Sequence, residues 1–99
     1  MCKIEDLTIE VIDWIGPLFP QRHRDPINTC IKLTEEVSEL MHAMYTKDGN
    51  IGEECADCLI LLLDIAHLNK VDLTVEFWKK MEKNRDRVWK KKNGSLRHE

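Results

Sequence analysis

Apolar residues recur at helical spacing in four segments of the chain, and turn-forming residues separate these segments. The first segment runs from about Ile4 to Ile15, and Gly16-Pro17 then predicts the end of a helix. The second keeps a period of about 3.6 residues to about Tyr45. Asp25 is its predicted N-cap, and Pro26 suits the first turn.

The third and fourth segments also have recognisable starts. Asn50 with Glu53 resembles a capping box, and the third helix is predicted to continue to about Asn69. Its run from Leu59 to Leu63 is apolar on every face, which predicts a central, buried helix. The fourth helix is predicted from about Asp72 to about Lys91, with Val75, Trp78 and Met81 on its inner side.

No segment alternates between apolar and polar residues over the length of a strand, so we predict an all-α, four-helix bundle. Residues 1–92 are predicted to form one domain, and residues 93–99 a flexible tail. A chain of 99 residues buries a modest fraction of its surface. We therefore expect a homodimer or homotetramer to complete the fold.

Charge and cysteine content indicate what the protein binds and in which compartment it acts. The net charge of −3 does not favour nucleic-acid binding, although nine of the fifteen Lys and Arg residues lie between Lys79 and Arg97. The longest apolar run, Leu59 to Leu63, is too short to span a membrane, and no signal peptide is evident. Four cysteines without an export signal predict reduced thiols and a cytoplasmic protein.

Two pairs of carboxylates stand out, each with a spacing of three residues. Glu36 and Glu39 share one face of the second helix, and Glu54 and Asp57 share one face of the third. Because a short turn makes these helices antiparallel, each pair faces the other. A solvated acidic face is the simpler alternative. Carboxylates gathered near a core need a cation, and oxygen ligands select Mg²⁺, with Mn²⁺ as a possible substitute.

The fourth helix adds a basic stripe to this acidic pattern. Lys80, Asn84 and Arg87 are spaced i, i+4 and i+7, which places them on one side of the helix. Carboxylates that hold Mg²⁺, combined with cations that bind phosphate, are typical of enzymes that hydrolyse nucleoside triphosphates.

These motifs, taken in order, resemble those of the MazG-like all-α nucleoside triphosphate pyrophosphohydrolases. The matching segments are Glu35-Glu36-x-x-Glu39, Glu53-Glu54-x-x-Asp57 and the block from Lys80 to Arg87, which is similar to the family's Lys-Met-x-x-Asn-x-x-Arg pattern. The resemblance extends from about Leu33 to Trp89. The order of the motifs within a helical hairpin makes it more specific than either acidic pair alone.

The resemblance implies hydrolysis between the α and β phosphates, in the sanitation or regulation of nucleotide pools. It implies that Glu36, Glu39, Glu54 and Asp57 ligate Mg²⁺, and that the fourth-helix stripe contacts phosphate or sugar, in some cases across a subunit boundary. It also implies a dimer or a dimer of dimers. Glu35 either positions the attacking water or faces solvent.

Residues near the first loop are candidates for contact with the base. Trp14 lies on the apolar stripe of the first helix, so a core position is the alternative to stacking on the base. Phe19, Gln21 and His23 lie in the loop that precedes the second helix. Trp14 and His23 are our predicted substrate contacts in this region.

Other patterns allow different interpretations. Cys55-x-x-Cys58 could bind zinc, but without a second pair two small buried thiols are the better interpretation. Glu39-x-x-His42 has the spacing of di-iron bundles, for which Asp64-x-x-His67 is a poor second copy. A non-catalytic dimerisation or antitoxin-like module that kept the fold remains the alternative to an enzyme.

Overall fold

The computed structural model describes residues 3–21, 25–47 and 49–90, without the side chains of residues 88–90. Four α-helices follow one another: α1 (Ile4–Leu18), α2 (Ile27–Thr46), α3 (Ile51–Leu68) and α4 (Leu73–Lys90). The described ranges contain no strand, so the predicted all-α class is confirmed. The predicted tail, residues 93–99, lies outside them. None of the helices in these ranges combines the length and apolarity that a membrane crossing requires.

The prediction that α1 ends before Gly16-Pro17 is wrong, because the helix continues to Leu18. The N–H of Phe19 donates to the carbonyl of Ile15 at 2.9 Å and closes the last turn. Pro17 removes one N–H donor, but it lies so close to the helix end that the other bonds of the turn remain.

The start of α2 also differs from the prediction. The helix begins at Ile27, and Asp25 does not cap it with its side chain. Its backbone carbonyl instead accepts from the Asn28 N–H at 3.1 Å, and its carboxylate accepts from Asn28 Nδ2 at 3.3 Å. The predicted N-cap of α3 is confirmed, since the Asn50 side chain accepts from the Glu53 N–H at 3.0 Å.

The core is small and lies where α1 packs on α3. Its buried side chains are Val11, Ile15 and Leu63. Partly buried residues of α1, α3 and the start of α4 surround it: Ile4, Leu7, Ile60 and Leu73. The most extensive contact between two described helices joins α2, which ends at Thr46, and α3, which begins at Ile51, so the two form an antiparallel hairpin.

The prediction that α3 is buried on every face is wrong for a single chain. Leu59 and Leu62 are 44% and 43% exposed, because α1 and α2 cover only part of the helix. On α4 the predicted inner residue Met81 is half-buried, whereas Val75 and Trp78 are exposed. A single chain therefore leaves large apolar side chains open on several helices.

Two glycines give a matched test of packing at the hairpin turn. A Cβ at Gly49 would lie 2.7 Å from Ala43 Cβ and 3.3 Å from Ala43 Cα, whereas a Cβ at Gly16 would meet nothing within 4 Å apart from its chain neighbours and the backbone of its own helix. Gly49→Ala should therefore lower the free energy of unfolding by about 1–3 kcal/mol through overpacking. Gly16→Ala should change it by less than about 1 kcal/mol, because the helix propensity of alanine is opposed by the contact of its Cβ with the ring of Pro17. Urea denaturation of both variants would measure the difference, and equal effects would contradict this packing.

Candidate functional site

Three of the four predicted acidic ligands come together between α2 and α3. Glu36, Glu54 and Asp57 each offer a carboxylate oxygen, and these oxygens all lie within 4.8 Å of one another. Glu54 and Asp57 are one helical turn apart on α3, and Glu36 faces them from α2. We call these three residues the carboxylate cluster.

The carboxylate cluster is shielded from water and incompletely hydrogen-bonded. Glu36 is only 9% exposed, while Glu54 and Asp57 are half-buried. Within the described part of the chain, Glu36 Oε2 and Glu54 Oε2 are buried and have no hydrogen-bond partner. Buried carboxylate oxygens normally have a partner. Partnerless oxygens on two facing helices therefore fit the donor set of a hard divalent cation.

The electrostatics of the site indicate the same need for positive charge. Burial raises the pKa of Glu54 above its ordinary value, and repulsion from Asp57, Glu36 and Glu53 raises it further. The pKa of Glu39 is also raised, first by its side-chain hydrogen bond with Glu36 and then by repulsion from that carboxylate. Both shifts have the direction expected when like charges share a site.

Glu39 and Glu35 lie beside the carboxylate cluster rather than within it. Glu39 is exposed and contacts Glu36, so its assignment as a metal ligand stays a prediction. Glu35 is exposed and accepts from Lys32 Nζ at 3.4 Å. Its role in positioning water stays a prediction as well.

A cavity of about 720 Å³ opens beside the carboxylate cluster, a volume in the usual range for small-molecule sites. Its walls come from the end of α1, the following loop, one face of α2 and the middle of α3. The lining residues of α1 and the loop are Trp14, Ile15, Leu18, Phe19, Pro20 and Gln21; those of α2 and its start are Asp25, Asn28, Thr29, Lys32 and Glu36; those of α3 are Asp57, Ile60 and Leu61.

The cavity extends along α2 from its acidic residues towards the helix start. Asn28 and Glu36 both line it and are eight residues apart, which corresponds to about 12 Å at the rise of an α-helix. The carboxylate of Asp57 lies beside Glu36, whereas the aromatic rings of Trp14 and Phe19 come from α1 and its loop. One cavity thus combines carboxylates that suit a divalent cation with apolar walls that suit a base.

Three of the four residues considered as base contacts line the cavity, and the fourth lies outside the described residues. Trp14 is 59% exposed and lines the cavity, so the core position considered for it is wrong. Phe19 and Gln21 also line the cavity. His23 lies outside the described residues.

The predicted phosphate contacts on α4 do not line this cavity. Lys80 is exposed, while Asn84 and Arg87 are half-buried on a helix that packs on α1. Arg87 Nη1 is buried and has no hydrogen-bond partner within the described ranges. The stripe predicted from the sequence thus exists, but a single chain does not bring it to the cavity.

Lys32 is a charged cavity residue that the sequence interpretation does not include. Its ammonium nitrogen lies 3.4 Å from Glu35 Oε2 and 3.4 Å from Glu36 Oε1. The hydrogen bond to Glu36 has the largest effect and the bond to Glu35 the next. Together they raise the pKa of Lys32 above its ordinary value, so its ammonium group stays protonated. The available signal was spacing, since Thr29, Lys32 and Glu36 at i, i+3 and i+7 share one helical face.

The alternative metal ligands fit less well. Cys55 is exposed, so the prediction that both thiols are buried is wrong for it, and Cys58 is half-buried. Burial, with the neighbouring thiol and carboxylates, raises the pKa of Cys58, which disfavours the thiolate that zinc needs. His42 lines a second cavity of about 560 Å³ with Glu39 and Glu54, but it does not belong to the carboxylate cluster.

Comparison with known proteins adds evidence independent of this geometry. The family model described as the MazG nucleotide pyrophosphohydrolase domain matches residues 24–90. A dATP/dGTP diphosphohydrolase of Cyanophage S-2L is 41% identical over 96 residues, which cover 96% of this chain and 87% of that protein. A dATP/dGTP diphosphohydrolase of Salmonella phage PMBT28 is 35% identical over 96 residues, but the chain spans only 31% of its length. No solved structure matches the chain at a significant level.

Proposed function

The chain belongs to the MazG nucleotide pyrophosphohydrolase family, and from that premise we propose that it hydrolyses dATP and dGTP with the help of Mg²⁺. Each reaction consumes one water, breaks the bond between the α and β phosphates, and yields the deoxynucleoside monophosphate and pyrophosphate. The observation that carries the proposal is the carboxylate cluster with its two partnerless buried oxygens beside a cavity of suitable size.

The family match confirms part of the interpretation made from the sequence. The resemblance to MazG-like enzymes, the all-α fold and the hydrolase class with a nucleoside triphosphate as substrate are confirmed. The same match, together with partnerless carboxylate oxygens, favours an enzyme over the non-catalytic module. A role in maintaining nucleotide pools and the cytoplasmic location stay predictions.

A divalent metal belongs to the chemistry of this family, and the chain carries the required acidic group. We assign Glu36, Glu54 and Asp57 as ligands of Mg²⁺, with Glu39 as a further ligand that supports Glu36. When bound, the ion would neutralise phosphate charge and lower the pKa of a coordinated water. Carboxylate oxygens favour Mg²⁺ or Mn²⁺ over softer ions.

The preference for purine deoxynucleotides rests on the phage relatives, whose names give dATP and dGTP as substrates. In this chain the cavity would hold the base against Trp14 and Phe19. Gln21 and Asn28 would provide amide donors and acceptors for its polar edge. An amide carries both kinds of group, which suits two purines whose substituents at position 6 differ.

We further propose that the active enzyme is a homodimer or homotetramer. Four large side chains on the outer face of α2 form an exposed apolar stripe, which we call the α2 stripe: Ile27, Ile31, Met41 and Tyr45. Thr34 and Ser38 divide this face into an apolar patch at each end of α2, and exposed apolar patches favour an interaction site. A second copy would cover it, and could bring Lys80, Asn84 and Arg87 to the cavity of its neighbour.

The association of subunits is testable through the α2 stripe. Met41→Glu, at a position that is 63% exposed, should convert a dimer or tetramer into an 11.7 kDa monomer and reduce turnover. The reason is that a desolvated charge in an apolar contact is costly. Light scattering coupled to size exclusion would measure the mass, with His67→Glu on exposed α3 surface as the control. A wild-type monomer that is fully active would contradict the proposal.

The raised pKa values predict how stability depends on pH. Glu54 and Glu39 hold protons more tightly in the folded chain than in the unfolded chain. Their contribution to the free energy of unfolding is therefore fully present below pH 4.5, the ordinary pKa of a glutamate. It is lost as the pH rises through the raised values. As the pH rises towards neutral, these two groups should therefore lower the thermal stability of the metal-free protein. The increase in stability on adding Mg²⁺ should become larger over the same range, because fewer protons compete with the cation.

Thermal unfolding at pH 5 and pH 7, with Mg²⁺ or with a chelator, would measure these trends. Mg²⁺ at 100 times its dissociation constant should add about 2.7 kcal/mol. Glu54→Gln should flatten the pH dependence in the metal-free protein. A gain that is larger at pH 5 than at pH 7 would count against binding at these carboxylates.

The direct test of the proposed function is a nucleotide panel with purified protein. We expect dATP and dGTP to give the monophosphates and pyrophosphate in Mg²⁺ or Mn²⁺, with much slower turnover of dCTP and dTTP. A chelator should abolish the activity. Release of orthophosphate would contradict cleavage between the α and β phosphates, and the absence of turnover with every nucleotide would contradict the proposal as a whole.

A further inference from the structure

Lys32 is the single basic side chain among the described residues that line the cavity. The carboxylates of Asp25, Glu36 and Asp57 line the same cavity, so its other charged residues in the described ranges are acidic. A triphosphate carries several negative charges and needs positive charge from the protein. The predicted cations on α4 do not line the cavity, so among the residues that the structure describes Lys32 is the cation at its wall.

The contacts of Lys32 leave part of its ammonium group available. An ammonium group has three N–H donors. Its nitrogen lies 3.4 Å from one oxygen of Glu35 and 3.4 Å from one oxygen of Glu36, so these carboxylates occupy two donors. The side chain remains 56% exposed, which leaves the third donor accessible from the cavity.

Lys32 contacts one of the two carboxylate oxygens of Glu36 and leaves the other open. Lys32 approaches Oε1, whereas Oε2 is the buried oxygen that has no hydrogen-bond partner in the described part of the chain. The lysine thus leaves Glu36 with one oxygen for a cation. Its two carboxylate contacts also fix the long side chain over the cavity, which reduces the conformational entropy that ligand binding would otherwise cost.

We propose that Lys32 is a substrate-binding residue that contacts the triphosphate while Glu35 and Glu36 hold it in position. This inference rests on the proposed function, because it assigns a residue of the same site. It gives Glu35 a role as a positioning residue for Lys32. It also places a phosphate contact on α2, on the same chain as the carboxylate cluster.

Lys32→Met tests the contact, because methionine keeps the length of the side chain without the charge. Binding of a deoxyadenosine triphosphate analogue with an imido bridge between the α and β phosphates should weaken roughly 10- to 100-fold, the range of a lost charge-assisted hydrogen bond. Binding of deoxyadenosine should stay within about twofold, because it has no phosphate. Isothermal titration calorimetry in Mg²⁺ would measure both ligands.

Mn²⁺ binding without nucleotide provides a readout that does not depend on turnover. Removing a positive charge beside Glu36 should leave Mn²⁺ affinity unchanged or higher, as measured by electron paramagnetic resonance. Lys32→Arg should retain most of the affinity for the triphosphate analogue. Lys79→Met is the matched control, since Lys79 Nζ lies 3.4 Å from Glu76 on exposed α4 surface, away from the cavity.

Two results would overturn the inference. Unchanged binding of the triphosphate analogue by Lys32→Met would exclude the contact, and a parallel loss of Mn²⁺ affinity would show that Lys32 acts only by positioning Glu36. In both cases a wild-type protein that hydrolyses dATP would leave the proposed function intact. A wild-type protein that neither binds nor hydrolyses any nucleotide would instead overturn the proposed function.

Discussion

Replacing Glu54 by glutamine should abolish turnover and, at the same time, raise the thermal midpoint of the metal-free protein. Turnover should fall because Glu54 belongs to the carboxylate cluster and its Oε2 is buried without a partner. The decrease should exceed about 100-fold, since loss of residues that merely support metal ligands already costs about 10- to 100-fold. Stability should rise because glutamine removes a charge that burial and neighbouring carboxylates disfavour, as the raised pKa of Glu54 indicates.

The opposite signs of these two effects separate a functional carboxylate from a structural one. Steady-state assays and thermal unfolding in a chelator would measure both. Glu53→Gln is the matched control, because Glu53 lies on the same helical turn, is exposed, and contacts the Asn50 cap through its backbone N–H. If Glu54→Gln unfolded the chain, or kept turnover within a few-fold of wild type, the assignment of Glu54 as a ligand would be wrong.

The hairpin that carries these carboxylates was predictable because its determinants are local. A spacing of three residues places Glu54 and Asp57 on one face of a helix whatever that helix packs against. A short turn then makes two helices antiparallel, and the apolar residues of each decide which faces meet. The start of α3 was equally local, because the Asn50 cap depends on residues within one turn.

The surroundings of the hairpin depended on tertiary packing and were predicted less well. The end of α1 was misplaced because Pro17 tolerates a helical position so near the terminus, and the extra turn carries Leu18 to the cavity. Periodicity favours a core position for Trp14 because it shows that a stripe is apolar, but it does not show how much of that stripe a neighbouring helix covers. Lys32 was missed although its spacing from Glu36 was visible.

The position of α4 shows what spacing alone cannot provide. The i, i+4, i+7 pattern correctly places Lys80, Asn84 and Arg87 on one helix, yet the pattern contains no information about where that helix docks. In one chain α4 contacts α1 and leaves the three residues away from the cavity. Contacts between subunits are set by complementary surfaces of two folded chains, which no local pattern in one chain encodes.

Replacing Trp14 by alanine should weaken binding of dATP and dGTP strongly while leaving the fold and metal binding intact. Trp14 lines the cavity, is 59% exposed, and lies outside the buried core. Stacking of a base on an aromatic side chain contributes about 1–3 kcal/mol. The KM for both nucleotides should therefore rise roughly 5- to 150-fold. Trp14→Phe should recover part of the loss, because it keeps a ring.

The control for this variant is Trp78→Ala, which removes a tryptophan of similar exposure, 57%, from α4, where it does not line the cavity. Its loss should leave KM unchanged. Mn²⁺ affinity and the thermal midpoint of Trp14→Ala should stay close to wild type, because neither the carboxylate cluster nor the core includes Trp14. An unchanged KM would place the base elsewhere, and a collapse of the midpoint would make Trp14 a structural residue, so kinetics and unfolding together distinguish base binding from packing.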